Sequence, residues 1–127
     1  MPKYMLLIYT PVDGPPAGEQ EADMAQWTEY TQGLQDAGVL VGADALHGLD
    51  SATTVRVRGG ETQIVDGPFA ETKEFLGGYY ILDVPDLDRA LELAARVPNV
   101  HYGSTEVRPV VDFSEQPAAG DPAQATA

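Results

Sequence analysis

FLGGYYILDVPDLDRAL, residues 75–91, decides the fold of this chain, because it runs a strand without a wet face into the start of a helix. Tyr79 and Ile81 alternate with Tyr80 and Leu82, so Phe75 to Asp83 is apolar at both parities and reads as a strand covered on both sides. Pro85-Asp86 then opens a helix in which Asp86 is the expected N-cap and Leu87, Ala90, Leu91 and Ala94 form one stripe, with Pro98 just beyond its end.

Outward from there, Lys3 to Thr10 (KYMLLIYT) has the same two-sided apolar character. PVDGPPAG, residues 11–18, is loop by composition, and the acids Glu19, Glu21 and Asp23 open a first helix, Glu19 to Ala37, with its stripe at 24, 27, 31 and 34 and Gly38 closing it. Val39 to Leu46 reads as a second strand. TTVRVRGGETQIVD, residues 53–66, reads as a hairpin with one wet face, Gly59-Gly60 supplying the positive φ angles of a tight turn. Thr105 to Val111 is a last short strand. Residues 1–111 form one domain, and the small-residue, Pro-rich tail at 112–127 has no periodic apolar set and is expected to be disordered.

The order strand, helix, strand, hairpin, strand, helix, strand suits an α+β fold, a ferredoxin-like sheet with two helices on one face. Two helices cover only one side of a sheet. Because the strands at 3–10 and 75–83 are apolar on both sides, the uncovered face needs a partner, and a homodimer forming a dimeric α+β barrel is expected.

Composition narrows the function. Seven basic residues against twenty acids give a net charge of −13, a field that repels phosphate backbones and anionic membrane surfaces, so no direct nucleic-acid or membrane binding is expected. Without cysteine there is no disulfide framework, thiolate nucleophile or cysteine zinc site. The apolar run Tyr4 to Tyr9 is too short for a signal core or a membrane span, which points to the cytoplasm. Nucleotide-binding glycine patterns, the P-loop, GxSxG, HExxH and calcium-loop spacings do not occur, so no cofactor or metal is expected.

The charged candidates gather in DGPFAETKE, residues 66–74. A glycine before proline is pushed to an extended conformation, Pro68 fixes its own φ, and Asp66 can bond nearby amides, so a rigid corner is expected, with Phe69 pinning it to the core. Such a corner can hold Asp66, Glu71, Lys73 and Glu74 at the mouth of a cavity between the first helix and the sheet, offering an acid, a base and an anchoring ammonium for catalysis. Trp27, Phe69 and Tyr79 would supply the apolar wall of a ligand pocket. The bland alternative is an inter-strand connection whose charges are solvated or paired across the dimer. His47 and His101 lie in loops, in no ligand spacing with each other, and read as surface histidines.

KYMLLIY, GVLVGADAL, TTVRVR, DGPFAETKEFLGGYYILDVPDLDRAL and YGSTEVRPV together resemble the YCII-related family, and the 66–74 string resembles its DGPF subgroup. The resemblance covers about residues 1 to 111. It implies the dimeric ferredoxin-like barrel, a small cofactor-free enzyme or ligand binder with a His and Asp site, and, for the subgroup, an association with alternative sigma factors. The family's histidine belongs on the first helix. Here that helix has none, and Trp27 stands in its place. Two functions follow as expectations: a small-molecule pocket with cofactor-free acid-base chemistry, or a regulatory module that docks beside a transcription initiation factor.

Overall fold

The computed structural model describes residues 2–70 and 72–114. Glu71 and most of the tail, from 115 onward, lie outside the described residues. The elements are β1 (Lys3–Pro11), α1 (Met24–Asp36), β2 (Leu40–Ala45), a single 3-10 turn (Leu49–Ser51), β3 (Thr53–Arg58), β4 (Glu61–Asp66), β5 (Glu74–Asp83), α2 (Leu87–Ala94) and β6 (Ser104–Pro109). Four strands form an antiparallel sheet in the order β2-β5-β1-β6, and β3-β4 form a separate hairpin. Thus β1 and β2 run parallel with β5 between them, while β5 and β6 run parallel with β1 between them. Two βαβ units interlock, each lending a strand to the gap in the other.

Alternation along β1 separates the two sides. Tyr4, Leu6 and Ile8 are buried with Tyr80 and Leu82 of β5, beneath Leu34 of α1 and Ala90, Leu93 and Ala94 of α2. Both helices therefore share one face. Met5, Leu7 and Ile81 point the other way and are half-buried, with no helix over them.

Each helix begins at an aspartate. Asp23 Oδ1 accepts from the Gln26 N–H at 2.8 Å while the Asp23 N–H donates to Gln26 Oε1 at 2.8 Å, a reciprocal capping box. This start overrides the acidic run at 19–22, so α1 is shorter than Glu19 to Ala37. Asp86 caps α2 through the Arg89 N–H at 2.9 Å. The stripes differ from those expected by periodicity. In α1, Met24 is 78% exposed and Tyr30 joins Trp27 and Leu34 against the core. In α2 the inward set is Ala90, Leu93 and Ala94, continued by the buried Val97 just past the helix, while Leu87 and Leu91 are exposed.

The hairpin turns through Gly59 at φ +59 and Gly60 at φ +81, as a two-residue turn requires. The single wet face is corrected: Val55, Val57, Ile64 and Val65 are 58–67% exposed, since β3-β4 does not join the main sheet and neither of its faces is covered.

Tyr30 ties the helices together. Its hydroxyl donates to the Leu93 carbonyl at 2.8 Å, and its ring meets Tyr80 edge to face with centroids 5.3 Å apart. Burial, with Tyr80 beside it, pushes the phenol well above its usual range. A phenol whose folded pKa exceeds its unfolded value of about 10 gives its full stability below that pH and loses it as pH rises through the folded value. Tyr30→Phe should therefore cost about 1 kcal/mol at neutral pH through the lost hydrogen bond and flatten the fall in stability above pH about 10. Urea midpoints at the two pH values check this, and parallel declines in both proteins would contradict it.

Candidate functional site

A cavity of about 620 Å³ lies between α1 and the β2-β5 side of the sheet. Small residues create it. On the helix-bearing face, Ile8 stands opposite Gly78, Gly78 opposite Ala45, and Tyr80 opposite Ala43, so this stretch of floor lacks large side chains. α1 seats Leu34 in the core, while its N-terminal half, with Trp27, Thr28 and Thr31, roofs the gap. Gly78 is required for more than space. A Cβ there would lie 2.8 Å from the Asp44 carbonyl oxygen and 3.3 Å from Ala45 Cα, so any side chain would force β2 away from β5.

The walls are aromatic and neutral polar. Thr31 Oγ1 and the Tyr80 hydroxyl are 2.7 Å apart, and Gln32, Gln35 and Thr10 bring further amide and hydroxyl groups. Asp44 also lines the cavity, but its carboxylate takes the Tyr79 hydroxyl at 2.5 Å. Tyr79 alternates with the buried Tyr80, so this pair belongs to the open face and Asp44 offers the cavity its main chain. The hydrogen bond to Asp44, then desolvation, holds the Tyr79 phenol above its ordinary value.

Across the open face a second polar cluster stands on β1 and β6. Glu106 accepts from the Tyr9 hydroxyl at 3.1 Å and from Arg108, whose Nε is 3.1 Å from Oε2. Arg108 holds the Glu106 carboxyl below its usual range, and burial followed by the bond to Glu106 raises Tyr9. Met5, Leu7 and Ile81 lie between this cluster and the Asp44-Tyr79 pair.

Of the residues expected at a site, Trp27 lines the cavity, whereas Tyr79 borders it only through its main chain and sends its ring to the open face. Asp66 ends β4, Lys73 precedes β5 and Glu74 begins it; none of the three is among the lining residues, and Glu71 lies outside the described residues. Phe69 is not a core anchor: it is 73% exposed, with the Arg56 guanidinium 5.1 Å from its ring centroid. Gly67 takes φ +113, a conformation open to glycine alone at low cost, rather than the one expected before proline. The corner is closed by the Gly67 N–H donating to the Ala52 carbonyl at 2.7 Å and by Thr54 Oγ1 donating to the Gly67 carbonyl at 2.8 Å. Beyond it, the Thr72 hydroxyl donates to the Glu74 carbonyl, and the Val12 N–H donates to the Lys73 carbonyl at 2.8 Å. Among the described residues the Asp66 side chain makes no hydrogen bond to this backbone. His47 and His101 are exposed, His101 packing edge to face on Tyr102 at 4.8 Å.

Sequence reasoning missed Thr10, Thr31, Gln35 and the small floor residues. The signal for the floor was present in the Gly77-Gly78 pair inside an apolar strand, since glycine in a strand interior marks a bulge or a close approach. The register of β1 on β5 does shift there, between Ile8 and Tyr9.

Comparison with known proteins covers nearly all of the described residues. Residues 3–114 match the model of the YCII-related domain. The chain is also 38% identical over 112 residues to an uncharacterized protein of Rhizobium meliloti (strain 1021), the alignment covering 84% of this chain and 90% of that protein.

Proposed function

The chain belongs to the YCII-related family, and on that premise we propose that it binds a small uncharged organic molecule between α1 and the sheet. The observation that carries this reading is the floor of Gly78, Ala43 and Ala45 beneath an aromatic and amide-lined roof. Its size lies within the range of roughly 300–1,000 Å³ common for ligand pockets. The corner at 66–74 supports placement in the DGPF subgroup; Asp66, Lys73 and Glu74 stand off the cavity, so in this reading binding does not depend on them. Acid-base chemistry by Asp66, Lys73 and Glu74 would need a second element to bring them to the ligand.

Assembly belongs to the same proposal. Two copies packed through their open faces would cover Met5, Leu7 and Ile81 and close a dimeric α+β barrel, with the two polar clusters at its rim. A second reading, docking of a protein partner such as a sigma factor, is favoured by the exposed Val55, Val57, Ile64 and Phe69.

Trp27 is the single tryptophan of the chain and lines the cavity, so its emission reports occupancy without a label. Wild-type protein should show saturable changes in that emission with uncharged one- or two-ring compounds. Ala45→Leu, which fills the floor from an exposed position, should weaken binding by about tenfold or more with little loss of stability. Equal binding by the filled variant, or no saturable change in the wild type, would count against the pocket.

A further inference from the structure

One end of the cavity presents a hydrogen-bond donor whose direction is set from behind. Asn99 is 1% exposed, and its Nδ2 lies 3.2 Å from the Tyr9 carbonyl oxygen and 3.0 Å from Thr10 Oγ1. A carbonyl only accepts, so the amide nitrogen must face this pair, and the side chain cannot be turned over. Thr10 Oγ1 therefore accepts a hydrogen bond from Asn99 and must send its own proton elsewhere. Among the described residues it meets no acceptor. Thr10 lines the cavity beside Gly77, where an added Cβ would lie 3.9 Å from Oγ1, in ordinary contact. Among the described residues Asn99 Oδ1 is buried without a partner, which makes the amide a poor choice for packing alone.

We propose that this end of the cavity takes the carbonyl oxygen of an uncharged cyclic ligand, with Thr10 as donor and Asn99 as the positioning residue that makes it one. The proposal rests on the binding function above and names its ligand class. A fixed donor selects an acceptor. The absence of lysine, arginine or histidine from the lining, in a chain of net charge −13, selects against an anion. Trp27, Ile8 and Tyr80 provide the apolar walls that a flat ring needs.

The test compares 1-indanone with indane, which differ only in a carbonyl in place of a methylene, by ligand-observed NMR titration. Wild-type protein is expected to prefer the ketone by about tenfold, the worth of one partly buried hydrogen bond. Thr10→Val should reduce the preference to less than about twofold without weakening indane, and Thr10→Ser should restore it. Asn99→Asp presents an acceptor to Thr10, turns the hydroxyl proton away from the cavity, and should remove the preference with the hydroxyl still present. Should that variant fail to fold, the Thr10 pair decides. Indane and indanone binding equally well to the wild type, or a preference unchanged in Thr10→Val, overturns the carbonyl site and leaves the pocket standing. Failure of both compounds to bind overturns both.

Discussion

Gly103→Ala is expected to lower the stability of the fold by about 3 kcal/mol, a large share of what a domain of this size holds. A Cβ at this position would lie 2.3 Å from the Tyr9 carbonyl oxygen, 3.0 Å from Asn99 Nδ2 and 3.2 Å from the Asn99 carbonyl oxygen. Two of these three atoms are backbone and cannot swing aside. The Gly103 N–H also donates to the Asn99 carbonyl at 2.7 Å, so the turn leading into β6 is held against β1 from both sides. Either the turn or the central strand must shift. The melting temperature should fall by roughly 10 °C, and a change smaller than about 2 °C would show that the turn has room to give.

Neighbouring leucines of β1 should respond in opposite ways. Leu6 is fully buried beneath the helices, and Leu6→Ala is expected to cost about 3 kcal/mol or more through lost transfer energy and the cavity left behind. Leu7, one residue on, faces the open side and is half-buried. Leu7→Asp should cost a lone chain little, but at a face covered by a second copy it would bury an unpaired carboxylate. Sedimentation and urea titration together separate the cases: the first variant should lose stability, and the second, if the proposed barrel forms, should sediment as a folded monomer. A wild type that sediments only as a monomer at micromolar concentration would exclude the barrel.

The layered architecture was legible because it depends on parity. Residues 3–10 and 75–83 carry apolar side chains on both faces, and no loop chemistry can hide that. The turn at Gly59-Gly60 and the cap at Asp86 were legible for the same reason, since each works within a few residues. Features that depend on how elements lean on one another were not. Leu87 and Leu91 fit a helical stripe as well as Leu93 and Val97 do, and only docking on the sheet chooses between them. Phe69 looked like an anchor because aromatic residues usually bury, yet it is exposed beside the hairpin, with only the Arg56 guanidinium over its ring among the described residues. Of the candidate site, Trp27 was visible as an aromatic. The cavity itself is made of what Gly78, Ala43 and Ala45 lack, and that becomes apparent only once strand register places them opposite one another. Asn99 reaches Thr10 across 89 positions of sequence, a distance over which no local pattern operates.

The interlocked strand order has a consequence for how the chain comes to be folded. β1 is synthesised first, yet its neighbours are β5 and β6, with Lys3 beside Asp83 and Tyr4 beside Pro109. An emerging N-terminal half therefore holds an apolar strand with both hydrogen-bonding edges unfilled, and β2 cannot reach it without β5 between them. Native pairing must wait until β5 and then β6 have left the ribosome, and closing loops of that length makes the step slow relative to a helical protein of the same size. During that interval the apolar segment from Lys3 to Pro11 is exposed to mispairing and aggregation.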